Sequence, residues 1–201
     1  MKIEVKGQIP ADIYVAAIAA DDSVSRKCRE ERALQALLDE IFGEGCERGH
    51  EADCSPVVLR NGRKIGQDIS VSHSMHYAAI AVAHAGYEVG IDIEERREQL
   101  ARVCGRVLSP EEQAVYGARP DGLLEAWTIK EALYKAWRRH AEREIDFAKE
   151  LHLPSEGGKM ARTSLHDGRP GGEYGVYSSG TDFGAEYALV TVVYRPKRFS
   201  T

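Results

Sequence analysis

The feature that most narrows what this chain can fold into is a partial internal echo. "ERALQALL" at 31–38 lines up with "KEALYKAW" at 130–137, and "HYAAIAV" at 76–82 lines up with "EYALVTV" at 186–192, sharing Tyr77/Tyr187, Ala78/Ala188 and Val82/Val192. The first pair has helical spacing of its apolar residues and the second has strand spacing. Shared composition is the competing explanation, since Ala and Leu favour any helix and Val any strand.

A coarse pass along the chain extends the echo. It predicts a strand or two before residue 20, a helix over 23–42 stopped by Gly43, and strands near 56–60 and 67–72. The apolar runs "YAAIAVAHAG" and "EVGIDIEE" come next, then helices near 110–117 and 121–140. Strands return near 145–153, 173–178 and 185–194, around Gly-rich loops at 157–158 and 168–172. This order predicts an α+β fold of two similar, pseudo-two-fold-related halves, 1–86 and 87–201, each a small mainly antiparallel sheet packed on a long helix. A chain of 201 residues is long enough to bury such a core, and with both halves in one chain a monomer is sufficient.

The helix over 121–140 has two distinct faces. At 3.6 residues per turn, Ala126, Ile129, Leu133, Ala136 and Trp137 gather on one side as a core seam. Trp127, Glu131, Lys135 and Arg138 stack on the other. A Glu-x-x-x-Lys pair on a solvated helix is ordinary and weakly stabilising. A tryptophan one turn earlier is not ordinary on a wet face, and implies a second body or a ligand over it.

Composition excludes several classes. The formal net charge of −5 argues against a general nucleic-acid binder. No apolar run of about 18 residues suggests a membrane span, and "MKIEVKGQIP" lacks the apolar centre of a signal peptide, so a cytoplasmic protein is expected. Cys28, Cys46, Cys54 and Cys104 form no Cys-x-x-Cys pair and are expected to be reduced thiols, two of them buried. His73 and His76 lie at a strand end, which disfavours their His-x-x-His as a metal pair.

In "VGIDIEERR", Asp92 and Glu94 stand two apart in a strand-like run, so both carboxylates share a face. Like charges that close raise each other's proton affinity unless a cation joins them, and Mg²⁺ takes carboxylate, phosphate and water oxygens. Joined to Glu131, the pair could complete a three-carboxylate cradle.

"GIDIE", followed a few dozen residues later by "WTIKEALYK" and preceded by "SVSHS", resembles the paired signature of the 4′-phosphopantetheinyl transferases. The second motif of that family reads Trp or Phe, then Ser, Thr or Cys, any residue, Lys-Glu, Ala or Ser, two residues, Lys. Both motifs match at every defined position. Their order and spacing are similar to the Sfp-type branch, whose single chains carry two similar halves, and the resemblance covers roughly 23–150.

The resemblance implies transfer of the phosphopantetheine of coenzyme A to a serine of an acyl or peptidyl carrier protein, leaving 3′,5′-ADP. By similarity Asp92, Glu94 and Glu131 hold Mg²⁺, and Lys135 offsets diphosphate charge rather than moving a proton. His73, with Ser72, matches the position that contacts the 3′-phosphate; Arg63 or Lys64 in "NGRK" and Arg26 with Arg29 match basic residues that reach the nucleotide. The first half would then grip nucleotide and the second carry metal and chemistry.

Glu112 matches a glutamate proposed in that family as base toward the carrier serine. "SPEE" is equally a capping box with Ser109 as N-cap, Pro110 at N1 and Glu112 at N3. The base could instead be Glu131 or a metal-bound water. Arg96, Arg97, Arg102 and Arg106 are candidates for a basic lip that meets an acidic carrier helix. The rival readings are a metal-dependent nuclease or phosphohydrolase, which usually has a basic surface, and a non-catalytic relative that only binds carrier protein or coenzyme A.

Overall fold

The alternating apolar runs at 77–83 and 88–95 become strands of two different sheets, and this division shapes the molecule. The structure, a computed structural model, describes residues 2–3, 9–141, 143–155, 158–165, 168, 170–178 and 187–196. The first elements are β1 (Lys2–Ile3), β2 (Ala11–Ala17), α1 (Arg26–Phe42), β3 (Cys46–His50), β4 (Pro56–Arg60), β5 (Arg63–Ile65), β6 (Ile69–His73), β7 (Tyr77–Ala83) and β8 (Glu88–Glu95). Then come α2 (Leu100–Val107), α3 (Pro110–Gly117), α4 (Gly122–Trp137), a 3-10 turn (Arg138–His140), α5 (Phe147–Glu150), β9 (Leu151–His152), β10 (Met160–Ser164), β11 (Pro170–Ser178) and β12 (Tyr187–Tyr194).

The strands form three antiparallel sheets, ordered β1-β2-β7-β6, β8-β12-β11-β10-β9 and β3-β4-β5. The α+β class expected from the sequence is therefore the observed one. Strand alternation assigns the faces. Ala79, Ala81 and Ala83 of β7 meet Val89, Ile91 and Ile93 of β8 in an apolar cluster between the two larger sheets. Ala78, Ile80 and Val82 face the other way and pack on Leu34, Leu37 and Leu38 of α1. Val190 and Val192 of β12 likewise pack on Ile129, Leu133 and Trp137 of α4. The layers thus run α1, sheet, sheet, α4.

Several expected elements change. The first helix begins at Arg26, because the Ser25 side chain accepts the Cys28 N–H and so caps it. Segment 145–153 was expected to be strand; instead Asp146 caps the short α5 with its side chain, and only Leu151–His152 pairs as strand. Helix α2, unexpected from a stretch with Gly105 and two valines, forms because Leu100, Cys104 and Leu108 bury one stripe. Strands β3, β5 and β10 are also additions. Residues 185–186 of the expected last strand and Gly157 lie outside the described residues. All four cysteines are free, with Cys46 and Cys104 buried as expected. Among the described residues no helix is long and apolar enough to cross a membrane.

Candidate active site

Gly90 brings β8 hard against α4. A Cβ there would lie 2.0 Å from the Ala132 carbonyl oxygen and 2.9 Å from the Ala136 nitrogen, so the approach needs glycine. Residues two and four further along β8 share that face, which directs Asp92 and Glu94 to the α4 side while Ile91 and Ile93 enter the inter-sheet core. On α4, Trp127, Glu131 and Lys135 stack at i, i+4 and meet them. A cavity of about 680 Å³ opens over this junction, and Asp92, Glu94, Trp127, Glu131, Lys135 and Arg138 all line it.

Electrostatics in the cavity are divided. Asp92, 5% exposed, accepts through Oδ1 from Lys135 Nζ at 2.7 Å and from Ser72 Oγ at 2.7 Å, while its buried Oδ2 has no partner. Lys135 Nζ also donates to Ser72 Oγ at 2.9 Å and to the Ile91 carbonyl at 3.1 Å. Glu94 Oε2 accepts from Trp127 Nε1 at 3.0 Å and from Arg97 at 2.7 Å. Trp127 also stacks on Phe147 at 6.4 Å between ring centroids, so its presence on this face has a structural reason. Burial, and then repulsion from Asp92 and Glu94, pushes the Glu131 carboxyl up to about 7 against the pull of Lys135. Burial likewise raises Glu94.

The remaining sequence candidates separate into two groups. His73, Ser72 and Arg26 line the cavity. His73 Nδ1 lies 3.6 Å from Glu30 Oε1, which also accepts from Arg26 Nε at 2.5 Å. Ser72 is 5% exposed and turned onto Asp92. Arg63, Lys64 and Arg29 do not line the cavity; Lys64 is paired with Glu51 on the β3-β4-β5 sheet. Arg96 and Arg97 reach the cavity, paired with Asp121 at 2.5 Å and with Glu94, whereas Arg102 and Arg106 are exposed on α2.

Glu112 lies outside the cavity lining. It completes the capping box at Ser109 and ion-pairs at 2.8 Å with the fully buried Lys130, and its Oε1 accepts the Leu153 N–H at 2.8 Å. Lys130 also donates to the carbonyls of Phe147 and Leu151. This knot fastens α3 and the α5-β9 segment to α4.

Arg48, His50 and Arg139 line the cavity without having been singled out in the sequence. For Arg48 and His50 the available signal was their alternation in Cys46–His50, a segment with little intrinsic strand character. In all, seven Lys or Arg side chains and four carboxylates line a cavity in a protein of net charge −5. Such concentration of cations suits a polyanionic ligand.

The metal question turns on the donors. Among the described residues no three His, Cys, Asp or Glu side chains are already arranged around one point, and Lys135 shares the Asp92 oxygen. The chemistry of the set nevertheless fits a hard divalent cation: three carboxylates in one cavity, one buried carboxylate oxygen without a partner, and one acid whose proton affinity is raised by burial and then by the other two.

Carboxylates beside a cationic groove define a class of site suited to phosphate-bearing substrates. The chain belongs to the 4′-phosphopantetheinyl transferase superfamily, whose family model matches residues 88–192, from the first residue of β8 into β12. Membership makes it a transferase of the phosphopantetheinyl type, in a family that uses coenzyme A as substrate and carrier proteins as partners. The match takes in Asp92, Glu94, Glu112, Glu131 and Lys135 and stops short of Ser72, His73 and Arg26. No curated protein matches the chain.

Proposed function

We propose that this protein is an Sfp-type enzyme that transfers 4′-phosphopantetheine from coenzyme A to a serine of an apo acyl or peptidyl carrier protein, with Mg²⁺, releasing 3′,5′-ADP. The observation that carries the reading is the meeting of Asp92, Glu94, Glu131 and Lys135 in one cation-rich cavity within the region that the family model matches. Asp92, Glu94 and Glu131 would hold Mg²⁺, which when bound supplies charge neutralisation to the diphosphate.

The chain's own groups divide the remaining work. Lys135 places an ammonium where charge builds on the diphosphate as its bridging oxygen departs. His73, Arg26, Arg48, Arg138 and Arg139 supply the donors for the nucleotide phosphates, drawn from both sides of the cavity. Burial and the two neighbouring acids raise the proton affinity of Glu131, so a divalent cation held beside it would take the place of the proton. Glu112 acts through Lys130 on the placement of α4. Arg102 and Arg106, one turn apart and exposed on α2, form with Arg96 and Arg97 the lip for an acidic carrier helix. The two halves, 1–86 and 87–201, meet at this cavity, the first gripping nucleotide and the second carrying the acids.

Incubation with coenzyme A, Mg²⁺ and several apo carrier proteins, followed by intact-mass measurement with and without EDTA, tests this. A gain of one phosphopantetheine group, dependent on Mg²⁺ and lost at least a hundredfold in Glu131→Ala, is expected. A folded Glu131→Ala with near wild-type turnover would sink the assignment of Glu131, and no gain on any carrier would return the binder and phosphohydrolase readings.

A further inference from the structure

Strands β6 and β8 are facing edges of different sheets, and their backbones do not pair. Side chains of "DISVSHS" bridge them instead. Asp68 Oδ2 accepts the Val89 N–H at 2.8 Å, Ser70 Oγ accepts the Ile91 N–H at 3.0 Å, and Ser72 Oγ accepts the Ile93 N–H at 3.3 Å. The step is two residues on both strands, so the side chains of β6 take the place of a missing strand and satisfy an edge that is buried.

Ser72 does more than its neighbours in this ladder. Its hydroxyl donates to Asp92 Oδ1 at 2.7 Å and accepts from Lys135 Nζ at 2.9 Å. Ser70, 3% exposed against 5% for Ser72, has the ladder bond and neither of those contacts. The two donors on Oδ1 fix the Asp92 carboxylate and leave Oδ2, buried and without a partner, as the open valence of a residue that lines the cavity.

We propose that Ser72 is a positioning residue: held by the β6–β8 ladder, it sets the bearing of the Asp92 carboxylate so that Oδ2 is presented to a divalent cation, and it holds Lys135 beside Asp92. The proposal rests on the reading of Asp92 as a cation ligand. Lys135 cannot do this alone, because its flexible stem would let Asp92 follow it. A short hydroxyl on a pinned strand has no such freedom, and groups that orient a metal-binding carboxylate commonly matter about 10–100-fold.

The ladder contains its own control. Mn²⁺ affinity without coenzyme A, kcat, the KM for carrier protein and Tm would be measured for the wild type, Ser70→Ala and Ser72→Ala. Both variants should lose Tm, since each removes one ladder bond, and Ser72→Ala at least as much as Ser70→Ala because it also removes the bonds to Asp92 and Lys135. Ser72→Ala should bind Mn²⁺ about tenfold or more weakly and lose kcat in parallel with carrier KM unchanged, while Ser70→Ala stays within about threefold of wild type in both. Ser72→Cys, which keeps the volume with a poor hydrogen-bonding group, should repeat the Ser72→Ala result and serves if that variant fails to fold. Equal Mn²⁺ affinities in the Ser70 and Ser72 variants would overturn the proposal and leave the transferase reading standing. A wild type that binds Mn²⁺ yet modifies no carrier would overturn the transferase reading and leave the Mn²⁺ comparison to decide the role of Ser72. A wild type that binds no Mn²⁺ overturns the proposal.

Discussion

Glu131 carries a cost that its position explains. It is half-buried beside two other carboxylates, and its carboxyl is pushed up to about 7 from an ordinary value of 4.5. Between those values the folded protein holds a proton that the unfolded chain has released. The contribution of this group to stability is therefore full below about pH 4.5 and is lost as pH rises through 7. In EDTA, Glu131→Gln should melt higher than wild type at pH 8 and alike at pH 4.5. With solvent screening of a partly exposed group, about 1–2 kcal/mol is expected, or roughly 2–8 °C for a chain of this size. Thermal melts at the two pH values check it, and a Glu131→Gln that melts below wild type at pH 8 would show that Lys135 outweighs the burial and the neighbouring acids. Glu112 has a structural part, because the Ser109 and Leu153 N–H groups and the Lys130 ammonium occupy its oxygens.

The contact of β8 with α4 decides whether these residues meet at all. An alanine at position 90 would place its Cβ 2.0 Å from backbone of α4, which side-chain movement cannot relieve. Gly90→Ala should cost about 1–3 kcal/mol or more and draw Glu131 and Lys135 away from Asp92, so transfer should fall more than tenfold even at temperatures where the protein remains folded. Melting and turnover of the variant measure the two effects separately, and wild-type values for both would refute the close approach. Much of this contact was legible in the sequence. Helical period separated Ala126, Ile129 and Leu133 from Trp127, Glu131 and Lys135, and strand period put Asp92 and Glu94 on one face. The ladder was not legible, because Asp68, Ser70 and Ser72 alternate with Ile69 and Val71 as a solvated strand would, and only the approach of a second sheet makes that polar face dry. Arg48 and His50 were missed for a related reason: Gly49 lies between them and Cys46–His50 has little intrinsic strand character, so its strand depends on pairing with β4.

At the scale of the whole molecule, the cavity is also a joint. Arg26 and Arg48 reach it from α1 and β3, whereas Arg138 and Arg139 reach it from the turn after α4. Arg138 donates to the Asp53 carbonyl and Arg139 to Asp68, so both also tie the end of α4 to the N-terminal half of the chain. The inter-sheet cluster draws on β2 and β7 from one side and on β8 and β12 from the other, which leaves neither large sheet with a covered inner face of its own. Unfolding of one part would expose the other, and a single cooperative transition follows. A polyanion bound across the joint stabilises all of it at once by mass action. At a hundredfold excess over Kd, coenzyme A should contribute about 2.7 kcal/mol, or roughly 5–11 °C for about 200 residues. Because the contacts are between charges, raising the salt concentration should shrink the shift. Scanning calorimetry with and without coenzyme A, at low and high salt, makes the measurement. One peak that moves as a whole is expected; two peaks of which only one moves would mean that the cavity belongs to one part of the chain and that the arginines from the other do not hold the ligand.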